Sequence, residues 1–520
     1  MAGVYSSNIS DGSKMRLLAR LLAVSLALAA LFSSNAFCDA GNLSGRVYEK
    51  KLSNGLVALA LPRAGAPVVT LQMTFKVGSV DEPEGSKGVA HLLEHMLFKG
   101  TKTLGTTDWE GEKPLLDEIE VVGKEIDAER RKGEGADAAR LIILEARLKE
   151  LEDLQAPFVV KDETDAVYSR NGGTGFNAFT TSDLTSYIVS LPSNRLELWA
   201  AIESERMREP VFRGYFNERK VVIQERLQRR DSEPNTLLFE GLFDAAYKVH
   251  PYRYPVIGRP EEFGTLDIEA TRSFFRKHYG PDNAVVVAVG DFDPGLFFSL
   301  LEKYFGDIPA RGGAFPAIPK EPLQEGPRKA EVFSDAEPRA VIAFHKPTLP
   351  DRDDYVLDLV DGILSGGRSS RLWRELVENK KVATQVSTVN GSPGARYDNL
   401  FVVYVEPAPG VEPETALEAV REELRRLAAE PPPPAELEKV KRALEADRVR
   451  GLLSDGGLSR RLSFFQTVAG DWRYVEEHPR VMETITPEEV SKVAARYFTQ
   501  QNEAAAILRR PAEKAGEAGK

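Results

Sequence analysis

An α+β protein built from two homologous α/β-sandwich halves, each an antiparallel-rich sheet with helices packed on it, plus an inserted helical hairpin, is what three features of this 520-residue chain predict. Short apolar runs with alternating pattern lie between longer segments of helical period. Two distant segments can be overlaid at a constant offset. One stretch is too dense in charge to belong to a core. At this length two or more packed domains are expected.

After the first forty residues, RVYEKKLSNGLVALALP reads as a β-hairpin turning at Ser53-Asn54-Gly55, and VVTLQMTFKV continues as a strand. A helix is expected around GVAHLLEHMLF. From about Asp108 to Leu154, Glu, Lys and Arg dominate. Ile119, Val122 and Ile126 form one narrow seam and Leu141, Leu144, Leu148 and Leu151 another, broken at Lys132-Gly133-Glu134-Gly135. That pattern predicts a helical hairpin over 108–156, read as a surface insertion with solvated faces, with a partner-docking arm as its sharper alternative.

The duplication pairs LDIEATRSFFRKHYGPDNAVVVAVG, from Leu266, with ITPEEVSKVAARYFTQQNEAAAIL, from Ile485, at an offset of 219 residues. It matches Asp267 with Thr486 as helix caps, Tyr279 with Phe498 at helix ends, and Asn283 with Asn502. The expected halves are 43–312 and 331–508, joined by a Gly/Pro-rich linker at 313–330 and followed by a tail at 509–520.

Residues 21–32, LLAVSLALAALF, follow Lys14, Arg16 and Arg20 and precede a small polar stretch, the layout of a secretory signal peptide over 1–40. Twelve apolar residues fall short of the roughly 20 needed to span a bilayer. An exported protein, periplasmic or extracellular, is expected, with an uncleaved N-terminal anchor as the alternative. Met15 opens a more typical signal than Met1. Cys38 is the only cysteine, so disulfide scaffolds and Cys-rich metal sites are excluded. Phe37 fits poorly before a lipidated cysteine. With 68 Lys plus Arg against 79 Asp plus Glu, the net charge of −11 argues against a general nucleic-acid binder.

Any metal must therefore be held by His, Asp or Glu. Only six histidines occur, and two of them frame a glutamate in His91-Leu-Leu-Glu94-His95. On a helix, positions four apart stand one above the other, so both imidazoles reach a single ion, and Glu94 points to nearly the same side. The bland alternative is two partly buried histidines with a surface glutamate. A catalytic zinc needs a third protein ligand and an open fourth position. The richest source is FNERKVVIQERLQRR, where Glu218 and Glu225 lie seven apart on one helical face, and spacing alone does not choose between them. There is no GxSxG elbow, Walker A loop or GxGxxG after a strand.

HLLEHMLFKGT, ERKVVIQE, GGTGFNAFTTSDLTSY and SGGRSSRLWREL together resemble the pitrilysin, insulysin and mitochondrial-processing-peptidase family of inverted-motif zinc peptidases, over nearly the whole chain after the signal. The resemblance implies one zinc ion per chain, with His91, His95 and Glu225 as ligands, Glu94 as general base and Glu218 as the supporting acid. It also implies that Asn177 and Ala178 lie on an edge strand that receives an extended peptide; without it they read equally as an ordinary turn entering a strand.

Two departures stand out. His95 and Glu225 are separated by about 54 residues more than the family usually has, close to the length of the charged hairpin. In ELVENKKVATQV, Val377 and Thr384 stand where active relatives commonly carry Arg and Tyr to grip the substrate. The implied partner is a family member lacking HxxEH and carrying the Arg/Tyr pair, making a heterodimer; a homodimer or weakly active monomer is the alternative. The activity implied is zinc-dependent hydrolysis of unfolded peptides in an enclosed chamber. The competing classes are a noncatalytic assembly or scaffold subunit and a peptide-binding receptor.

Overall fold

The structure is a computed structural model that describes residues 43–259, 266–312 and 317–511. The signal segment with Cys38, part of the linker and most of the tail lie outside the described residues. The chain divides into residues 1–47 and a compact unit of 48–520. In the first, residues 43–47 make a turn closed by Arg46 and Val47 N–H groups on the Leu43 carbonyl. Among the described residues no helix is long and apolar enough to cross a membrane.

Within the second unit, the first sheet comprises β1 (Tyr48–Lys51), β2 (Val57–Pro62), β3 (Val68–Phe75), β4 (Thr174–Thr180), β5 (Thr185–Pro192) and β6 (Ala284–Gly290), in the order β1-β2-β6-β3-β5-β4. Only β2 and β6 pair in parallel. β6, AVVVAVG, is buried at every position, so its apolar run is unbroken, as a central strand covered on both faces requires. β4 is the opposite case. Among the described residues it pairs only with β5, its register shifts between Thr174 and Asn177, and Gly175 adopts φ 64°, which a side chain would disfavour.

The second sheet repeats this plan. β7 (Arg328–Phe333), β8 (Arg339–Lys346), β9 (Ala383–Ser392), β10 (Asn399–Pro407) and β11 (Glu503–Arg509) run in the order β7-β11-β8-β10-β9, with β7 and β11 parallel. β7 begins at Arg328, directly after Gly326-Pro327 and three residues inside the stretch read as linker. The offset of 219 carries β6 onto β11, and α8 (Ile268–His278) onto α15 (Pro487–Tyr497). The side-chain bonds repeat as well. Asp267 caps Ala270 N as Thr486 caps Glu489 N. Asn283 Nδ2 donates to the carbonyls of His278 and Lys76, and Asn502 Nδ2 to those of Tyr497 and His345. Tyr279 lies 4.4 Å from the Phe75 ring, and Phe498 lies 5.1 Å from Phe344.

Each half also lends a helix to the other's sheet. α7 (Pro234–Ala246) buries Leu238, Leu242 and Ala246, spaced four apart, against Val341, Ala343, Val402, Ala504 and Ala506 of the second sheet. α13 (Asp455–Val468) lies across the first sheet through a buried polar network. In it Ser459 Oγ donates to Gln72 Oε1 at 2.9 Å, Gln72 Nε2 to Ser186 Oγ at 2.8 Å, and Ser463 Oγ to Thr74 Oγ1 at 2.6 Å. Satisfied polar groups at such a contact fix register better than apolar surface does.

The charged segment forms α2 (Trp109–Arg130) and α3 (Ala138–Gln155), broken by a short 3-10 turn at Gly133–Gly135. Ile119, Ile126, Leu148 and Leu151 are buried in the seam. Gly123 lets α2 approach α6 (Tyr215–Ser232), because a Cβ there would stand 2.0 Å from the Phe216 ring. At the hairpin's base Glu112, fully buried, accepts from Arg213 and from Gln155, while Arg213 also donates to the carbonyls of Lys99 and Leu104.

Candidate metal centre

Helix α1 (Val89–Met96) buries Val89, Ala90, Leu92, Leu93 and Met96 in the first core. That stripe turns His91, Glu94 and His95 toward α6, and Glu82 accepts the helix's Gly88 and Ala90 N–H groups, fixing its start. On α6, Val222 is buried, and Glu218 and Glu225 face α1.

The two glutamates take different places. Glu225 Oε2 lies 3.6 Å from His95 Nε2, and Glu225 Oε1 lies 4.0 Å from His91 Nε2. One donor atom each from His91, His95 and Glu225 falls within 4.8 Å of the others. A tetrahedral zinc with bonds of about 2.0–2.1 Å needs donor atoms roughly 3.3–3.4 Å apart, so these side chains would have to draw together to close on an ion. Glu218 instead reaches the far side of His95, with Oε1 2.9 Å from Nδ1 and Oε2 2.5 Å from Lys99 Nζ. A carboxylate on the outer ring nitrogen fixes which nitrogen points inward. The packing of α6 on α1 thus sets Glu225 against the inner ring nitrogens of both histidines and Glu218 against the outer nitrogen of His95.

Electrostatics suit these places. Burial, with His95 and Arg229 nearby, pushes the His91 pKa down to about 3, leaving a neutral imidazole with a free donor pair. Burial also lowers the affinity of His95 for a proton, but the hydrogen bond and charge of Glu218, with Glu94 and Glu225, outweigh it and raise its pKa. Glu218 is partly buried, which raises its pKa, yet its bonds to His95 and Lys99 outweigh this and hold it at about 2. Burial raises Glu94, opposed by a hydrogen bond from Thr180 Oγ1 to Glu94 Oε2 at 2.5 Å. The Nδ1 of His91 is buried with no hydrogen-bond partner among the described residues, which leaves this imidazole's orientation to packing and to whatever its Nε2 meets.

Asn177 and Ala178 stand on β4, opposite Ile188 and Tyr187 of β5, with Ala178 against the core and Asn177 exposed. Thr180 shares the face of Ala178, which brings it to Glu94. In the second half Val377 packs its side chain on that half's core, within a π-helical segment Trp373–Asn379. Thr384 Oγ1 donates to the Glu406 carbonyl at 3.4 Å. Three residues beside the centre were not singled out from the sequence: Thr180, Lys99 and Arg229. Spacing held a signal for two of them, since Lys99 is four residues after His95 and Arg229 four after Glu225.

Comparison with known proteins adds a family. The profile described as insulinase (peptidase family M16) matches residues 58–129 and 161–259, and that described as peptidase M16 inactive domain matches 265–444. The chain is 26% identical over 470 residues to the zinc protease PqqE of Helicobacter pylori, covering 88% of this chain and 91% of that one. To an uncharacterized zinc protease of Mycobacterium leprae, ML0855, it is 25% identical over 443 residues, covering 83% and 84%. Among solved structures it resembles a protease from Helicobacter pylori, with TM-score 0.75, 24% identity and coverage of 89% and 99%. A peptidase M16 inactive domain from Pseudomonas fluorescens follows at TM-score 0.71, 16% identity and coverage of 90% and 98%.

Proposed function

This chain belongs to the insulinase (M16) peptidase family, and from that premise we propose that it is a zinc-dependent endopeptidase that hydrolyses unfolded peptides. The observation carrying the proposal is the convergence of His91 Nε2, His95 Nε2 and the Glu225 carboxylate from two helices, with Glu94 buried beside them. Imidazole and carboxylate donors in this set suit zinc better than magnesium. Zinc bound there would supply Lewis acidity, acidifying water toward a pKa of about 7 and polarising the scissile carbonyl.

The remaining chemistry falls to the chain's own side chains. Glu94 takes the proton of the attacking water and returns it to the leaving amine; its raised pKa brings its proton affinity nearer what that exchange needs. Thr180 holds Glu94 Oε2, which leaves Oε1 as the atom that carries the proton. Glu218 keeps His95 Nε2 directed inward. β4, paired on one edge only, offers its free edge to an extended peptide at Asn177 and Ala178, so the backbone is aligned before any side chain is read.

Completion of the site by a second subunit belongs to the same proposal. Val377 and Thr384 offer neither a cation nor a phenol. The partner proposed is a family member lacking HxxEH and bearing the Arg/Tyr pair, the two chains enclosing a chamber; a homodimer is the alternative. The segment 21–32 with its basic flank supports export to the periplasm or beyond.

The deciding experiment is Glu94→Gln, with zinc content and hydrolysis of unfolded peptides measured with and without the partner. A peptidase loses turnover and keeps zinc. A scaffold has no hydrolysis to lose, and a receptor binds peptide without forming products.

A further inference from the structure

Glu225 has two oxygens, and the structure gives them unequal surroundings. Oε2 is the closer to the histidines, at 3.6 Å from His95 Nε2, whereas Oε1, 4.0 Å from His91 Nε2, is held in an ion pair by the guanidinium of Arg229. Arg229 stands one helical turn beyond Glu225 on the same face of α6, about half exposed. An i,i+4 pair on an open helix surface contributes little and is usually incidental. Here the carboxylate belongs to the metal-ligating cluster, so the pair acts on a ligand.

We propose that Arg229 is a positioning residue that makes Glu225 a one-oxygen ligand: by holding Oε1 it presents Oε2 alone to the ion and keeps one coordination position open. The proposal rests on the zinc-peptidase function above and adds a role for a residue outside the ligand set. The physical reasoning has two parts. A carboxylate free at both oxygens can chelate, filling the position a catalytic site must leave vacant for water. A guanidinium beside the ligand set also repels a divalent cation and withdraws donor strength from Glu225, trading affinity for Lewis acidity. Arg229 is thereby to Glu225 what Glu218 is to His95, with the opposite charge.

The test uses the full chain in three forms: unaltered, Arg229→Met and Arg229→Lys. Zinc affinity is measured by chelator competition, and coordination by the visible spectrum of the cobalt(II)-loaded protein, in which four-coordinate sites absorb strongly and higher-coordinate sites weakly. Arg229→Met is expected to bind zinc about tenfold more tightly, the relief of one cation's repulsion at high dielectric, and to show weakened cobalt bands. Arg229→Lys keeps a cation at Glu225 and stays within about threefold of the unaltered chain in affinity, with its spectrum retained. Equal or weaker zinc binding by Arg229→Met, or an unchanged cobalt spectrum, overturns the role of Arg229 while leaving the zinc centre intact. If the unaltered chain binds neither metal, the centre and this role fall together.

Discussion

Replacing Glu218 tests whether the first glutamate of α6 orients the centre or merely covers it. Its two oxygens do separate things, one bonding His95 Nδ1 at 2.9 Å and the other Lys99 Nζ at 2.5 Å. Glu218→Ala removes both and frees the His95 ring to rotate. Loss of such an outer partner weakens metal binding by about 10–100-fold, or about 1.4–2.8 kcal/mol. Glu218→Gln keeps an acceptor for Nδ1–H and loses only the charge, so it belongs near tenfold, with Glu218→Ala nearer a hundredfold. Lys99→Met separates the two contacts: the carboxylate keeps its hold on His95 while a cation leaves the neighbourhood, so zinc affinity should not fall. The assay is competition against a fluorescent chelator at pH 7.5, with urea unfolding as the control for folding. Should Glu218→Ala bind zinc as tightly as the unaltered chain while His91→Ala binds none, the orienting role is refuted.

Other consequences follow from the same structure. Burial raises the Asp361 pKa to about 6, opposed by the Thr388 hydroxyl; the folded state then binds the extra proton between about pH 4 and 6, and stability falls as pH rises through that window by up to about 3 kcal/mol. Asp361→Asn should flatten that slope and stabilise the protein at pH 7.5, as read by urea unfolding at pH 4 and 7.5; an unchanged slope contradicts it. Glu112→Ala leaves the buried Arg213 without its carboxylate and should cost about 3–5 kcal/mol, whereas the paired change of Glu112 and Arg213 to Met should cost less; equal losses would argue against an uncompensated charge. A specific protease site inserted at the exposed Leu323 should allow a cut that leaves both halves eluting together, because α7 and α13 each cover the other half's sheet; separate elution of two fragments would show that this exchange does not hold them.

The duplicated half-fold was legible because its cues are local. Caps at Asp267 and Thr486 and the apolar strands that follow each recur at one offset, and side chains such as Asn283 and Asn502 make the same bonds in both halves. His91, Glu94 and His95 were legible for the same reason, since one helical turn sets their geometry. The exchange of α7 and α13 was not, because Leu238 and Leu242 at a spacing of four fit any apolar sheet, and the serines of α13 carry no apolar signal. Nor could spacing say that Glu225 faces both imidazoles while Glu218 takes the outer nitrogen of His95. That depends on how α6 lies against α1, with Gly123 of α2 admitting Phe216. Thr180 reaches Glu94 across 86 residues of sequence, a contact that only sheet register creates.

The most direct test is a crystal structure of the zinc-soaked full chain with anomalous data collected on both sides of the zinc absorption edge. One zinc peak, bonded to His91 Nε2, His95 Nε2 and a carboxylate oxygen of Glu225 at about 2.0–2.2 Å, is the predicted result. A chain that takes up no zinc, or a peak away from these three side chains, would contradict it.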